Sequence, residues 1–277
     1  MKWGEMWKRC ELLHMLPEGK MTTKGKLEEK VIVITGGTKG VGRAASLAFA
    51  QEGAIVVIGG RDEYAAQDII EKIDRLGGKV VFVRTDLENV DDCRKLCDVA
   101  ADNFGKIDGL LNYAGITSVA ALDNCDVETF ERVMNVNFRA CFFCCQQAIK
   151  YMRLARGGSI VIVGSPHAWA GLKDRAVYAC SKGALYTLSE HIAHNYANEN
   201  IRCNYLTLGW TATEGEIALK ESLGESEEKL RDRAAKLSPM GRIIEPDEYN
   251  EILVYFMSDA SRMTTGSILN ETGGVFL

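Results

Sequence analysis

Residues 30–42, KVIVITGGTKGVG, join a continuous run of β-branched residues to a glycine-rich turn. Such an apolar run is typical of a buried strand, and the glycines mark a tight turn after it. Glycines also let a phosphate group approach the backbone, while the N-terminus of a following helix supplies N–H donors. Because a helix is predicted at 41–52, directly after the turn, the stretch indicates a dinucleotide-binding site.

The alternation of strand and helix continues along the rest of the chain. Further buried strands are predicted at 54–59, 79–84, 107–112, 159–163, 201–206 and 267–270. Further helices are predicted at 63–76, 89–104, 126–155, 175–198 and 246–258. Buried strands that alternate with helices indicate a parallel sheet covered on both faces. We therefore predict an α/β fold in which residues 25–277 form a single Rossmann-like doubly wound domain with a seven-stranded parallel sheet.

Two segments differ from this pattern. Residues 1–24 precede the first strand, and we predict an N-terminal extension that is either disordered or folded as a short amphipathic helix. Residues 212–236 are charged and follow the sixth strand, at the sheet edge where α/β proteins bind ligands. This position favours a mobile helical substrate lid over about 210–240 rather than only a solvated surface helix.

The composition narrows the class of protein. The formal net charge is −5 and no basic run is present, which argues against nucleic acid as a partner. No apolar stretch reaches about eighteen residues, so we expect no membrane span. The nine cysteines are an odd number scattered through predicted helices, which favours free thiols, a reducing cytoplasmic setting and no metal site.

A candidate catalytic group lies within residues 165–182, SPHAWAGLKDRAVYACSK. Tyr178 and Lys182 are four residues apart on a predicted helix, so both side chains can point into one cleft. A lysine ammonium beside a phenol stabilises the phenolate, so we expect a lowered pKa that makes Tyr178 a general acid and base. Ser165 would then hold a carbonyl or alcohol oxygen next to the phenol.

The end of the second strand bears on the choice of cofactor. It reads Gly59-Gly60-Arg61-Asp62, and Lys39 lies in the nearby glycine turn. Two cations suit the 2′-phosphate of NADP, because guanidinium binds phosphate in a bidentate, charge-assisted way. We therefore prefer NADP(H). NAD(H) is the alternative, in which Asp62 binds the ribose hydroxyls and the two cations are ordinary surface residues.

Taken together, four motifs in order make residues 26–277 resemble the short-chain dehydrogenase/reductase family. They are TGGTKGVG at 35–42, Asp86 in RTDLENV, NYAG at 112–115 and the set Asn137, Ser165, Tyr178 and Lys182. The resemblance implies that tyrosine transfers the proton, serine orients the substrate oxygen, lysine binds the nicotinamide ribose and asparagine holds a water of a proton relay. It also implies a homotetramer, with a dimer as the alternative.

The resemblance and the glycine turn together define the expected cofactor contacts. These are Thr35, Gly36, Thr38, Lys39, Gly40, Val41, Gly42, Arg61, Asp86, Leu87, Asn112, Ala114, Gly115, Tyr178, Lys182, Gly209, Thr211 and Thr213. Three positions depart from the family pattern: Tyr113 replaces an asparagine near the cofactor wall, Leu208-Gly209 replaces Pro-Gly, and residues 271–274, ETGG, replace Asp-Gly-Gly.

The substrate side is less defined. His167, Trp169 and Trp210 are the predicted substrate contacts, with Leu172 and Tyr205 as further candidates. Turn capping and aromatic packing explain the same residues equally well. The expected function is interconversion of a secondary alcohol and a ketone with NADP(H). The substrate class stays open among steroids, sugar alcohols, 3-oxoacyl thioesters and small ketones. The alternative is a non-catalytic dinucleotide-binding redox sensor or scaffold.

Overall fold

Strands and helices alternate along residues 25–275, the part of the chain that the computed structural model describes; the expected extension 1–24 lies outside it. The strands are β1 (Val31–Thr35), β2 (Ile55–Gly60), β3 (Lys79–Arg84), β4 (Gly109–Asn112), β5 (Gly158–Gly164), β6 (Ile201–Leu208) and β7 (Ile268–Glu271). The helices are α1 (Gly40–Gln51), α2 (Glu63–Arg75), α3 (Val90–Phe104), α4 (Val127–Met134), α5 (Ala140–Leu154), α6 (Ala176–Asn195), α7 (Glu214–Ser222), α8 (Glu227–Leu237) and α9 (Asn250–Met257).

The strands form one sheet in the order β3-β2-β1-β4-β5-β6-β7, and every neighbouring pair is parallel. The predicted seven-stranded, doubly wound α/β fold is therefore confirmed. Because β1 pairs with both β2 and β4, the strand order reverses there. Ligands of open α/β sheets bind at the carboxyl ends of the strands beside such a switch point.

The two faces of the sheet are covered by different helices. Strand β1 is buried throughout, and alternate side chains point to opposite faces. Val31 and Val33 pack with α3, α5 and α6, whereas Ile32 and Ile34 pack with α1, α2 and α9. The continuous β-branched run of β1 is thus explained by burial on both faces.

The predicted helix 126–155 is interrupted in the structure. Helices α4 and α5 are joined by a π-helical turn, Asn135–Arg139, rather than by regular α-helix. Such turns are rare and occur often at functional sites. This turn carries Asn137, whose amide is buried and held by backbone groups of Ile116.

The charged segment predicted as a lid forms two helices, α7 and α8. The chain breaks between them at Gly224, which has φ of +82°, and Ser226 caps α8 by accepting from Lys229 N at 3.4 Å. Ile217 of α7 packs against a small apolar cluster to which α8 contributes Leu230 and Ala234; its other members are Ala212 and Ile243. Within residues 25–275, no helix has both the length and the apolar composition needed to cross a bilayer.

The junction of β5 with the site yields a stability prediction. A Cβ added at Gly164 would lie 2.0 Å from Cζ of Tyr205, a fully buried ring whose hydroxyl donates to the Lys182 carbonyl at 3.1 Å. The ring cannot withdraw without losing that bond. We expect Gly164→Ala to lower the free energy of unfolding by about 1–3 kcal/mol in urea denaturation.

Gly215→Ala on α7 is the matched control, since nothing lies within 4 Å of an added Cβ there. We expect this variant to keep or slightly exceed the parental free energy of unfolding, because alanine favours helix over glycine. Equal stability of Gly164→Ala and the parent would contradict the packing argument.

Candidate active site

The predicted catalytic side chains meet at the carboxyl edge of the sheet. Ser165 directly follows β5 and begins the short helix Pro166–Ala168, whose His167 N–H donates to the serine Oγ at 3.3 Å. Tyr178 and Lys182 lie one turn apart on α6, and the Lys182 ammonium is 5.6 Å from the centre of the Tyr178 ring. Ser165 and Lys182 are both buried, so the fold brings the three together in a shielded position.

The pKa of Tyr178 is shifted in the direction opposite to the prediction from the sequence. Burial raises its pKa, while a hydrogen bond with Ser165 acts in the opposite sense. The charge of Glu216 raises the pKa further and that of Arg175 lowers it. The expectation that Lys182 lowers this pKa is therefore wrong for this arrangement, because loss of solvation outweighs the favourable contacts and keeps the phenol protonated.

Lys182 is directed into the protein. Its ammonium donates to the Val163 carbonyl at 3.0 Å, and burial lowers its pKa to about 8. The Asn137 side chain accepts from Ile116 N at 2.8 Å and donates to Ser181 Oγ at 3.0 Å. A Cβ added at Gly115 would lie 3.2 Å from Asn137 Oδ1 and 3.7 Å from Lys182 Nζ. Both polar groups thus face one small space beside Gly115.

Of the predicted substrate contacts, His167 lies nearest the phenol. Its ring meets Tyr178 edge-on, with the ring centres 5.5 Å apart. Its Nδ1 accepts from Leu172 N at 3.4 Å, and burial lowers the pKa of the imidazole, with the Arg175 charge acting in the same direction. His167 is therefore neutral at physiological pH and presents an apolar ring face beside the phenol.

The two tryptophans lie elsewhere. The half-exposed ring of Trp169 packs near Tyr186 and Tyr205, at 6.0 and 6.1 Å between ring centres. Trp210 donates from Nε1 to Glu216 at 2.9 Å and lies under the guanidinium of Arg233 at 4.6 Å, so it joins the segment before α7 to both α7 and α8.

Tyr205 is not a substrate contact. Its side chain is fully buried beneath α6, and its hydroxyl is held by the Lys182 carbonyl. A strand residue whose face of the sheet is covered by a helix has no surface to offer a ligand. The sequence of β6 alone does not reveal that α6 covers Tyr205.

The glycine turn has the geometry of an anion site. Gly36 and Gly40 adopt φ of +72° and +53°, a region that other residues rarely occupy. Helix α1 begins at Gly40 without a side-chain cap, so its first N–H groups point outward. One of them, Gly40 N–H, donates to a carboxylate oxygen of Glu214 at 2.9 Å. A negatively charged group is thus already bound where a phosphate is expected.

Tyr113 lies over the same turn. A Cβ added at Gly40 would be 2.6 Å from its hydroxyl, and one added at Gly42 would be 2.6 Å from its ring. The hydroxyl is within hydrogen-bonding reach of the Val41 backbone N–H, and burial raises the pKa of the phenol to about 12. Its substitution for asparagine was visible in the sequence, but its reach to the turn was not.

The remaining cofactor positions surround the turn. Thr35 accepts from Ala114 N, and Thr38 is buried against Gly60. Thr213 caps α7 by accepting from Glu216 N at 3.1 Å and lies against Gly40.

Two predicted contacts at the sheet edge have other structural partners. The Thr211 hydroxyl is held by the Gly209 carbonyl and Tyr249, and a Cβ at Gly209 would meet Thr272 Cα at 2.6 Å. The Thr211 side chain therefore holds the segment before α7 to Tyr249, and Gly209 leaves room for the backbone of Thr272.

At the far end of the turn, two charged residues are paired. Lys39 lies 2.7 Å from Asp62, whose other oxygen caps α2 by accepting from Ala65 N at 3.0 Å. The capping bond and Lys39 lower the pKa of Asp62. Arg61 is exposed and makes no hydrogen bond or ion pair within residues 25–275.

Asp86 and Leu87 follow β3. A carboxylate oxygen of Asp86 accepts from Glu88 N at 3.1 Å, while Leu87 lines a small cavity with Thr35, Asn112 and Ala114. Asn112 donates to Cys145 and its buried oxygen has no hydrogen-bond partner within the described residues.

These residues fit a dinucleotide. The outward N–H groups at the start of α1 can donate to an anion, as Gly40 N–H does to the Glu214 carboxylate. The glycines leave room for a phosphate at the backbone. Sequence reasoning missed Glu214 and Arg175. Arg175 is buried three residues before Tyr178 and acts on its pKa, yet no local pattern distinguishes it from a surface arginine.

Comparison with known proteins agrees with this geometry. The sequence model of the family described as short chain dehydrogenase matches residues 30–223. A 3beta-hydroxysteroid dehydrogenase of Mediterraneibacter gnavus is 31% identical over 265 residues, covering 90% of this chain and 96% of the relative. A 3-oxoacyl-[acyl-carrier-protein] reductase of Thermotoga maritima is 32% identical over 252 residues, covering 91% and 100%.

A solved structure of a short-chain type dehydrogenase/reductase from Mycobacterium marinum is also similar. It is 30% identical with a TM-score of 0.82, over 90% of this chain and 96% of that one. The fold, the family match and these relatives lead to one conclusion: the chain belongs to the short-chain dehydrogenase/reductase family of oxidoreductases.

Proposed function

We propose that the protein interconverts a secondary alcohol and a ketone with NADP(H), using Tyr178 as the general acid and base. The observation that carries the proposal is the meeting of Ser165, Tyr178 and Lys182 at the carboxyl edge of the sheet, beside the glycine turn. Relatives that act on hydroxysteroids and on 3-oxoacyl groups support a hydroxyl–oxo substrate pair.

In the direction of reduction, the raised pKa of Tyr178 keeps its phenol ready to donate a proton to the ketone oxygen. Ser165, which acts on the pKa of the phenol from the end of β5, orients that oxygen. When bound, NADPH supplies the hydride. The residues that would hold it are those of the glycine turn, with Asn112 to Gly115 along its inner side and Lys182 towards the nicotinamide ribose.

The proton lost by Tyr178 must be replaced from solvent. Lys182 and Asn137 face the same space beside Gly115, within reach of one bridging water. Asn137 is held rigidly by both backbone groups of Ile116, so its position does not depend on the ligand. We assign these two residues to the relay that returns the proton.

The preference for NADP(H) is part of the proposal. Both carboxylate oxygens of Asp62 are engaged, one by Lys39 and one by the start of α2. This arrangement counts against Asp62 as the ligand of the ribose hydroxyls. Arg61 stays available at the same strand end, where a guanidinium suits a 2′-phosphate.

A dinucleotide-binding sensor remains the second candidate. The observation in its favour is that Tyr113 and Glu214 lie on the phosphate donors of the turn, an arrangement that turnover does not need. Steady-state assays of NADPH oxidation with hydroxysteroid-type ketones, 3-oxoacyl thioesters and small ketones separate the two. Turnover supports the enzyme, whereas tight NADPH binding without any turnover supports the sensor.

We also propose a cytoplasmic homotetramer. Every cysteine within residues 25–275 is a free thiol, which suits a reducing compartment. The exposed ring of Phe142 on α5 offers apolar surface for contact between subunits.

The role of Tyr178 can be tested by removing only its hydroxyl. We expect Tyr178→Phe to reduce kcat by about 10²-fold to 10⁴-fold, because the proton donor is lost. The NADPH dissociation constant, measured by fluorescence titration, should stay within about twofold. Tyr186→Phe, two turns along α6, is the control and should keep its activity; retained turnover in Tyr178→Phe would overturn the assignment.

The low pKa of Lys182 predicts a pH profile. Because burial lowers this pKa to about 8, the ammonium loses its proton as the pH rises through that value. We expect kcat/KM for ketone reduction to be level near neutral pH and to decline above about pH 8. In Lys182→Arg, whose guanidinium stays charged, the decline should disappear from this range. An unchanged alkaline limb in that variant would assign the titration to another group.

Cofactor preference can be tested at the end of β2. We expect Arg61→Asp to weaken NADPH binding by about tenfold or more while affecting NADH by less, since a charge-assisted phosphate contact becomes a repulsion. Arg262→Asp, an exposed arginine beyond the opposite edge of the sheet, is the matched control. An unchanged ratio of the two affinities in Arg61→Asp would show that Arg61 does not bind the 2′-phosphate.

A further inference from the structure

The donors of the glycine turn are covered by a residue of the lid. Glu214 is the first residue of α7, and its Oε2 accepts from Gly40 N at the start of α1. The preceding residue, Thr213, lies against the same glycine: a Cβ there would be 3.0 Å from the threonine methyl group. The lid therefore begins directly on the turn.

A second side chain completes this cover. Tyr113 places its hydroxyl over Gly40, so a phenol covers the start of α1 beside the carboxylate that accepts from Gly40 N–H. Helix N-termini attract anions, and here one carboxylate fills that role. A pyrophosphate needs the same donors and carries the same sign of charge, so the two anions cannot occupy the turn together.

We propose that Glu214 is a latch that holds the start of α7 on the phosphate donors of the glycine turn and competes with the pyrophosphate of the cofactor for them. The inference rests on the proposed dinucleotide site and adds a regulatory contact to it. Cofactor binding displaces Glu214 from Gly40 N and frees the start of the lid. Because latched protein cannot bind the pyrophosphate, the apparent affinity for cofactor is the intrinsic affinity multiplied by the fraction of protein that is unlatched.

The position of Glu214 explains why the latch can open. The residue is exposed at the end of its helix, and its bond to Gly40 N is one hydrogen bond to a backbone group. Such a contact holds a local position but costs little to exchange for another anion. The base of the lid is secured separately by Trp210, bonded to Glu216, and by the apolar cluster that includes Leu230. Release of Glu214 therefore moves the start of α7 without unfolding the lid.

The test uses the full chain in three forms: the parent, Glu214→Ala and Glu214→Gln. Glu228→Ala is the matched control, since it also removes a carboxylate from the first turn of a lid helix, α8. Hydrogen exchange of the cofactor-free proteins reports the latch itself. We expect Glu214→Ala to exchange faster at Gly40 and along the first turn of α7, and Glu214→Gln to do so to a smaller extent, because its amide oxygen can still accept from Gly40 N–H. Glu228→Ala should match the parent at these positions.

NADPH affinity measures the competition between Glu214 and the cofactor pyrophosphate for the N–H groups of the glycine turn. We expect Glu214→Ala to bind NADPH about threefold to tenfold more tightly than the parent, because a repelling charge and a competing acceptor are both removed. Glu214→Gln should bind NADPH more tightly than the parent by a smaller factor, because it loses the charge but keeps an acceptor oxygen. Inorganic pyrophosphate, used as a second probe, should protect the amides of Gly40 and Val41 at lower concentration in Glu214→Ala. Where the parent binds NADPH, unchanged or weaker NADPH binding in both Glu214 variants would overturn the proposal, whatever their hydrogen exchange.

The second probe separates this inference from the proposed function. If no form binds NADPH or NADH, but the Glu214 variants show faster exchange and stronger protection by pyrophosphate, the latch stands and the cofactor assignment fails. If NADPH binds equally to the parent and to both Glu214 variants, the cofactor assignment stands and the latch fails.

Discussion

One buried hydrogen bond, from the Lys182 ammonium to the Val163 carbonyl at 3.0 Å, ties helix α6 to strand β5. Burial of an ammonium is costly unless a polar partner meets it, and the low pKa of this group expresses that cost. The bond joins α6 to β5 at the level of the candidate site, beside the apolar residues of α6 that pack on the sheet. Tyr178, one turn before Lys182 on α6, lies beside Ser165, two residues after Val163. Tyr205 supports the same junction from beneath by bonding to the Lys182 carbonyl.

The glycine turn is subject to two demands at once. It must present N–H groups to an anion, and it must also accept the ring of Tyr113 and the first residues of α7. Gly40 and Gly42 serve both demands, because a side chain at either position would collide with Tyr113. The turn is therefore the point where the start of α1, Tyr113 after β4 and the first residues of α7 contact one another.

Much of the fold was predictable because its signals are local. The β-branched run of β1 and its glycine turn define a strand and a helix start within thirteen residues, 30–42, and the same pattern recurs along the chain. Asn137, Ser165, Tyr178 and Lys182 could be named from motif order. The position of the Asn137 amide on its π-helical turn could not, since it is held by Ile116, twenty-one residues earlier in the chain. The prediction of Tyr205 as a substrate contact was wrong for a similar reason: its burial depends on α6, which a strand pattern does not reveal.

The amino-acid sequence by itself determined the parallel α/β architecture, the glycine turn and the identity of the candidate catalytic side chains, because hydrophobic periodicity and short motifs act over a few residues. Only the tertiary structure decided the raised pKa of Tyr178, the ion pair of Lys39 with Asp62 and the hydrogen bond from Gly40 N–H to Glu214. These depend on burial and on contacts between distant segments; Glu214 and Gly40 are 174 residues apart in the chain. Solvation and charge at such contacts cannot be read from local spacing.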